Sequence, residues 1–196
     1  LPYTIMLNPA GNAHNTGRHI HETFERTYTL RLAEQIKKSL EQEAVGVSVL
    51  LTRLPGEVAE PLQYANFANR VPADLYLSLH CFQEQSTKPR LYIYQFSYGE
   101  QFALPKNSFS FYTYDQAHLL NLKTTTIYAN ALHTTLSNYQ KLFDMQGPYK
   151  IPFVPLIGIT CPAFGIELGL KNSKSWNDFV VPLVEAIMAM INGKIS

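Results

Sequence analysis

Glu167, His80 and Glu25 are the side chains whose sequence context most favours chemistry. Glu167 stands inside the apolar stretch Ala-Phe-Gly-Ile-Glu-Leu-Gly-Leu, and His80 ends the apolar run Leu-Tyr-Leu-Ser-Leu-His. Because an unpaired buried carboxylate is costly, Glu167 is expected either to form a salt bridge or to act as a catalytic carboxylate or metal ligand. Glu25 opens a periodic apolar segment, where it either interacts with the helix dipole or joins the same site.

Three more histidines, His14, His19 and His21, lie within eight residues of one polar loop. Histidine is a common metal ligand, but this spacing is not the His-x-x-x-His of a zinc-binding helix, and solvated loop histidines are the alternative. A set of His and Glu residues suits zinc hydrolysis, in which the metal polarises a carbonyl and lowers the pKa of its water. A separate carboxylate then carries the proton to the leaving amine.

Alternating strands and helices must position these residues. The apolar runs predict strands at 3–8, 47–52, 75–80, 90–96, 152–159 and 163–168. The predicted helices are an amphipathic one with apolar residues every four positions from 24 to 40, one over 62–69, one within 116–142, and one from Pro182 to Asn192. Thr23 is a plausible N-cap of the first helix. Ile127, Ala131 and Leu132 are placed on one face of the third.

This alternation predicts a single α/β domain over residues 1–196, built on a largely parallel sheet. Function in such sheets collects at the carboxyl ends of the strands, where His80 lies. The aromatic, irregular stretch 99–114 is expected to be an insertion or lid that could shape a substrate groove.

The composition argues against a disordered chain, a nucleic-acid-binding protein and a membrane-spanning protein. The chain has 196 residues, 46% of them hydrophobic, and 16 Lys and Arg against 15 Asp and Glu. This balance argues against disorder and gives no electrostatic reason to expect a nucleic-acid partner. No apolar run approaches the 18–20 residues of a membrane span. Since the chain starts at Leu1 and shows no charged leader before an apolar core, we expect a processed or trimmed chain.

Two cysteines exclude a disulfide scaffold and a four-cysteine zinc site. Cys81 follows His80 in the same strand, so its side chain should point to the opposite face and pack as a thiol. Cys161 could lie near it, and whether the two are paired is left open by the sequence.

Several motifs occur in the order found in the zinc-dependent N-acetylmuramoyl-L-alanine amidases of the amidase type 3 family, which the sequence resembles over nearly its whole length. Leu-Asn-Pro-Ala-Gly at 7–11 is similar to that family's Leu-Asp-Pro-Gly-His, and Glu25-Arg26 to its Glu-Lys. The most specific matches are Ala-Asp-Leu-Tyr-Leu-Ser-Leu-His at 73–80 and Pro-Ala-Phe-Gly-Ile-Glu-Leu-Gly at 162–169.

The resemblance implies a twisted, mostly parallel six-stranded sheet with helices on both faces. It implies that Glu25 and His80 are zinc ligands and that Glu167 is the catalytic glutamate. The implied reaction is hydrolysis of the amide between N-acetylmuramic acid and L-alanine in peptidoglycan or muropeptides. The implied protein is a monomer of the bacterial cell envelope, periplasmic or secreted.

One departure from the family pattern concerns the first zinc ligand. The histidine of that motif falls on Gly11 in a gapless alignment, which Gly17 and Glu25 keep in register. The hypothesis is that His14 replaces it, with His19 and His21 as further candidates. One alternative function is a catalytically impaired module that binds peptidoglycan or has a regulatory role. The other is a zinc peptidase that acts on another amide.

Overall fold

The longest apolar runs of the sequence form the centre of one sheet in a computed structural model, which describes residues 2–58, 60–99 and 112–192. The strands are β1 (Tyr3–Pro9), β2 (His19–Ile20), β3 (Thr23–Phe24), β4 (Val47–Leu51), β5 (Leu75–Gln83), β6 (Arg90–Phe96), β7 (Asp144–Ile151) and β8 (Ala163–Leu170). Six of them form a sheet in the order β4-β1-β5-β8-β6-β7, while β2 and β3 form a separate two-stranded ribbon.

The six-stranded sheet is parallel except at one junction. β1 pairs in parallel with both β4 and β5, and β5 pairs in parallel with β8. β6 runs antiparallel to β8 and parallel to β7. The carboxyl ends of β1, β5 and β8 therefore meet at one edge of the sheet, which confirms the predicted mostly parallel α/β architecture.

Helices cover both faces of this sheet, as predicted. They are α1 (Glu25–Glu43), α2 (Pro61–Arg70), α3 (Leu122–Ser137) and α4 (Val180–Ile191). Apolar side chains of α1, α3 and α4 pack on one face in the larger core cluster. Ala65 and Ala68 of α2 pack on the opposite face with Met6 and Tyr76. Among the described residues, no helix has both the length and the apolarity that a membrane span requires.

The start of α1 differs from the prediction that Thr23 caps it. Thr23 lies in β3, opposite Ile20, and Phe24 occupies the N-cap position without a capping side chain. Carbonyls of the preceding loop replace the cap, because Arg18 accepts a hydrogen bond from the Glu25 N–H at 2.8 Å and Thr16 accepts one from the Arg26 N–H at 3.2 Å. The loop is thereby attached to the first turn of the helix.

Two further sequence predictions need correction. Residues 152–159 do not form a strand, since Val154–Leu156 is a 3-10 turn after Pro152. The strand in this region is instead β7, an edge strand with partly exposed side chains that hide its periodicity. Ile127 is exposed, and the buried face of α3 is formed by Tyr128, Ala129, Leu132 and Leu136. Most of the predicted lid, residues 100–111, lies outside the described residues.

Candidate active site

His80 and Glu167 stand side by side where β5 and β8 approach their carboxyl ends. The two residues are direct partners in the parallel ladder. Paired residues on neighbouring strands project to the same face, so both side chains enter one cleft. The sequence-predicted strands thus bring together two of the predicted site residues that lie 87 positions apart in the chain.

Glu25 reaches the same cleft from the first turn of α1. Its Oε1 lies 3.5 Å from His80 Nδ1, and its side chain is only 7% exposed. Backbone N–H groups hold both oxygens, since Cys81 donates to Oε1 at 3.0 Å and Arg18 donates to Oε2 at 3.2 Å. Burial raises the pKa of Glu25, but hydrogen bonding to His80 and to these backbone groups outweighs it, so the net pKa is lowered.

A chain of polar side chains fixes the other edge of His80. His80 Nε2 lies 2.9 Å from Ser78 Oγ, which accepts a hydrogen bond from Asn8 Nδ2 at 3.1 Å. Asn8 Oδ1 in turn accepts one from Thr52 Oγ1 at 2.7 Å. These buried and part-buried contacts run from β5 through β1 to the residue that follows β4, and they hold the imidazole in one orientation between Ser78 and Glu25.

Glu167 is paired on both of its oxygens. Arg18 Nη1 forms an ion pair with Oε1, and Tyr94 donates its hydroxyl hydrogen to Oε2 at 2.9 Å. Burial and the hydrogen bond to Glu167 raise the pKa of Tyr94 well above its usual value, so Tyr94 remains a donor. The expectation of a salt bridge at Glu167 is therefore met, although no pattern in the sequence identifies Arg18 as its partner.

Phe153 forms the aromatic wall of the cleft. Its ring lies edge-on to His80 with centroids 5.2 Å apart and stacks on Tyr94 at 4.9 Å. A Cβ at Gly165 would clash with the Phe153 ring, so glycine is required there for the ring to approach the sheet. The Phe153 ring therefore covers one edge of the His80 imidazole.

A cavity of about 190 Å³ opens beside His80. The amide side chains of Asn8, Asn12 and Asn15 and the ring of Tyr64 line it. Because complete small-molecule sites usually occupy about 300–1,000 Å³, this cavity suits one polar substituent of a larger substrate.

The loop histidines do not join Glu25 and His80 in this structure. His14 is exposed. The His19 ring lies edge-on to Phe24 with ring centroids 5.4 Å apart, and His21 Nε2 lies 2.9 Å from the Leu170 carbonyl oxygen. Over residues 2–58, 60–99 and 112–192, no three His, Cys, Asp or Glu side chains are grouped to hold a metal. A ligand role for His14 would require this loop to rearrange, and it stays a prediction.

The backbone at Gly11 explains why a histidine does not fit there. Gly11 has a φ of +80°, in the left-handed region that favours glycine. A Cβ on Gly11 would lie 2.7 Å from Arg26 Cβ and 3.2 Å from Arg26 Cα. Because this position is closed to a side chain, residue 11 contributes no metal-ligating group beside Glu25 and His80.

The two cysteines take no part in this cleft as side chains. Cys81 is fully buried in the core cluster under α1, α3 and α4, as predicted, and burial raises its pKa well above the usual value. Cys161 packs with the cluster on the other face of the sheet. Both are free thiols.

The fold and the cleft define an α/β domain with a histidine and two glutamates at the carboxyl edge of a mostly parallel sheet. The sequence model of the N-acetylmuramoyl-L-alanine amidase family matches residues 5–179. The chain belongs to this family, and by membership it is classed as an N-acetylmuramoyl-L-alanine amidase. No curated protein matches the chain significantly.

Solved structures of amidases share the fold at low sequence identity. The catalytic domain of the amidase CwlV from Bacillus (Paenibacillus) polymyxa var. colistinus superposes with a TM-score of 0.68 at 18% identity, covering 98% of this chain and 99% of that one. The amidase Ami1 from Mycobacterium smegmatis gives a TM-score of 0.69 at 13% identity, with 97% of each chain covered. AmiC2 of Nostoc punctiforme gives 0.64 at 18%, with 97% and 96% covered.

Proposed function

We propose that this chain hydrolyses the amide between N-acetylmuramic acid and L-alanine in peptidoglycan. The observation that carries the proposal is the convergence of Glu25, His80 and Glu167 in one cleft. These are the three residues that the family resemblance selects, and they come from a helix and two different strands. The family match over residues 5–179 supports the same substrate class.

Glu167 is proposed to move the proton. Its side chain is 15% exposed, so water in the cleft can reach it, while the Tyr94 hydroxyl holds one oxygen in place. An ionised carboxylate in this position accepts a proton from the attacking water and returns it to the departing amine of L-alanine. The Oε1 atom becomes available for this step when the Arg18 ion pair opens.

Glu25 and His80 are the residues proposed to hold a zinc ion. Two ligand atoms of a tetrahedral zinc site lie about 3.3 Å apart when each metal bond is 2.0–2.1 Å, and Glu25 Oε1 and His80 Nδ1 are 3.5 Å apart. Since the third protein ligand is missing at Gly11, weak zinc binding is expected. A His14→Ala variant tests the remaining candidate, because loss of bound zinc would show that the loop supplies His14 and unchanged zinc would exclude it.

The test of the function pairs a zinc assay with digestion of purified muropeptides. Mass spectrometry should detect free stem peptides that begin with L-alanine, together with glycan fragments that have lost the whole peptide. A Glu34→Gln variant is the matched control, since Glu34 is an exposed glutamate of α1, and it should digest at the wild-type rate. Cleavage at a bond within the peptide would instead support a peptidase, and absence of any cleavage would contradict hydrolysis.

A second candidate is a module that binds peptidoglycan without cleaving it. Two features favour this candidate. No side chain can project from Gly11 to bind a metal ion, and the Arg18 ion pair occupies one oxygen of the proposed proton acceptor Glu167. Wild-type chain that co-sediments with peptidoglycan but releases no stem peptide at saturating zinc would support this candidate. Release of stem peptide would exclude it.

The same proposal locates the protein at the bacterial cell envelope, periplasmic or secreted, where peptidoglycan lies. We propose that it acts there as a monomer, because the cleft is built from residues of one chain. Light scattering at working concentration checks the monomer, and fractionation of the producing cell checks the location.

A further inference from the structure

We propose that the guanidinium of Arg18 is the resident cation of this cleft, holding Glu167 and opposing the binding of a metal ion between the two glutamates. The inference rests on the proposed function in that it assigns Glu167 and Glu25 to the reacting site. It goes further by giving Arg18 a role in setting the metal affinity of that site.

Arg18 contacts both arms of the cleft. Its Nη1 forms the ion pair with Glu167 Oε1 and donates a hydrogen bond to the Cys81 carbonyl oxygen at 3.3 Å. Its backbone N–H donates to Glu25 Oε2 at 3.2 Å. The residue therefore connects the carboxylate on β8, the backbone after His80 and the carboxylate on α1.

The conformation of the preceding residue fixes Arg18 in this place. Gly17 has a φ of +74°, and a Cβ there would lie 2.6 Å from Glu25 Oε2. Only glycine lets the loop pass this close to the carboxylate while remaining in the left-handed region. The approach of the Arg18 N–H to Glu25, and hence the starting point of its side chain, depends on this glycine.

The charge arrangement opposes a divalent ion. Arg18 interacts electrostatically with the carboxylates of both Glu25 and Glu167. A metal ion bound near Glu25 and His80 would be repelled by a guanidinium already paired with Glu167, because like charges a few ångströms apart repel each other more strongly in a partly buried site than in bulk water. The missing ligand at Gly11 and the positive charge of Arg18 thus both lower the affinity of the cleft for a divalent metal ion.

The ion pair between Arg18 and Glu167 can open without a change in the fold. The Arg18 side chain is 55% exposed, whereas Glu167 is 15% exposed. Ion pairs with one solvated partner contribute little to stability and exchange readily with water. Rotation of Arg18 into solvent would free Glu167 Oε1 and lower the local positive charge without disturbing the sheet.

Competition of the protein with a chromophoric chelator for zinc tests the proposal. The variants are Arg18→Gln, which removes the charge, Arg18→Lys, which keeps it, and the control Arg31→Gln, which removes an exposed arginine of α1. We expect Arg18→Gln to bind zinc at least about tenfold more tightly than wild type. Arg18→Lys and Arg31→Gln should stay within about threefold of wild type, since the cation at residue 18 is retained in both.

Equal zinc affinities of wild type and Arg18→Gln, including no detectable binding by either, would overturn the proposal, as would weaker binding by Arg18→Gln. Melting temperatures within a few degrees of wild type confirm that the variants are folded. The result is separable from the function test. Tighter zinc binding without cleavage of muropeptides would uphold the role of Arg18 and contradict the amidase proposal, whereas cleavage with unchanged zinc affinity would do the reverse.

Discussion

Two glutamate–arginine pairs at the same end of the sheet differ in what surrounds them. Glu84 follows β5, and its side chain is completely buried against Arg90 of β6. Its two oxygens accept hydrogen bonds from the Ser86 N–H and from Arg90 N, Nε and Nη2, at 2.9–3.1 Å. Glu167 on β8 has one side-chain ion pair, to the half-exposed Arg18, and one hydroxyl donor.

The difference separates a structural carboxylate from one that can do chemistry. The donors to Glu84 come from Ser86 in the short connection between β5 and β6 and from Arg90 at the start of β6, so the pair closes a local loop and no substrate can reach the buried carboxylate. Burial raises the pKa of Glu84, but the hydrogen bonds from Arg90 and Ser86 outweigh it and lower the pKa to about 2. The partners of Glu167 come from distant parts of the chain and meet over an open cleft.

The strongest predicted change is a loss of catalytic rate in the Glu167→Gln variant. Glu167→Gln removes the proton acceptor and should lower the rate of stem-peptide release by about 100-fold or more, the usual contribution of a general base. Its melting temperature should stay close to wild type, since the partners of Glu167 keep contact with water. The rate is measured by chromatography of digested muropeptides. A Glu167→Gln variant with the full wild-type rate would remove Glu167 from the mechanism.

The complementary change is Glu84→Gln, which should reduce stability and leave the rate intact. Loss of the charge weakens four hydrogen bonds around a buried group, so the melting temperature should fall by about 5 °C. Differential scanning calorimetry measures the shift, and muropeptide digestion at 25 °C provides the control. If Glu84→Gln reduced the rate as strongly as Glu167→Gln, the distinction between the two pairs would fail.

Acid should weaken the Glu84 pair in a defined pH range. A carboxyl whose pKa is about 2 in the folded state and about 4.3 unfolded stabilises the fold above pH 4.3, and this stabilisation is lost as the pH falls towards 2. The free energy of unfolding should therefore decline less steeply between pH 4.5 and 2.5 in Glu84→Gln than in wild type. Urea titrations at several pH values measure it, and parallel profiles would contradict the assigned role.

A further expected difference concerns Gly11, the position at the mouth of the cleft that is closed to a side chain. Gly11→Ala and Gly56→Ala both place a Cβ in the left-handed region, at φ values of +80° and +85°, which costs about 1 kcal/mol. Gly56 has no atom within 4 Å of the added Cβ, whereas Gly11 meets Arg26 at 2.7 Å. Gly11→Ala should therefore lower the free energy of unfolding by about 1–3 kcal/mol more than Gly56→Ala does. Equal denaturation midpoints would show that Gly11 can accept a side chain.

The parts of the fold that could be predicted from sequence are those with strong apolar signals. β1, β5 and β8 are buried runs, and α1 repeats its apolar residues every four positions, so their types and approximate bounds were predicted correctly. β7 was missed because its side chains are half-exposed at the sheet edge and its sequence contains Gly147-Pro148. The strand predicted at 152–159 was wrong because these apolar residues form a 3-10 turn at Val154–Leu156 and pack into the core from that turn.

The site was predictable where a residue sits inside a recognisable element, and not where a contact joins distant segments. Glu167 and His80 stand out as polar residues in apolar strands. Arg18 carried no such signal, since its partner is 149 residues away in the chain. The closed position at Gly11 likewise depends on the packing of Arg26 against the loop, which no local pattern reveals.

The central claim is that the cleft of Glu25, His80 and Glu167 releases stem peptides from peptidoglycan. The most direct measurement is the number of new amino-terminal alanines that appear when intact peptidoglycan is incubated with the wild-type chain and zinc. We expect that number to rise with time and to equal the number of peptides lost from muramic acid. No new amino-terminal alanine, at any zinc concentration, would contradict the claim.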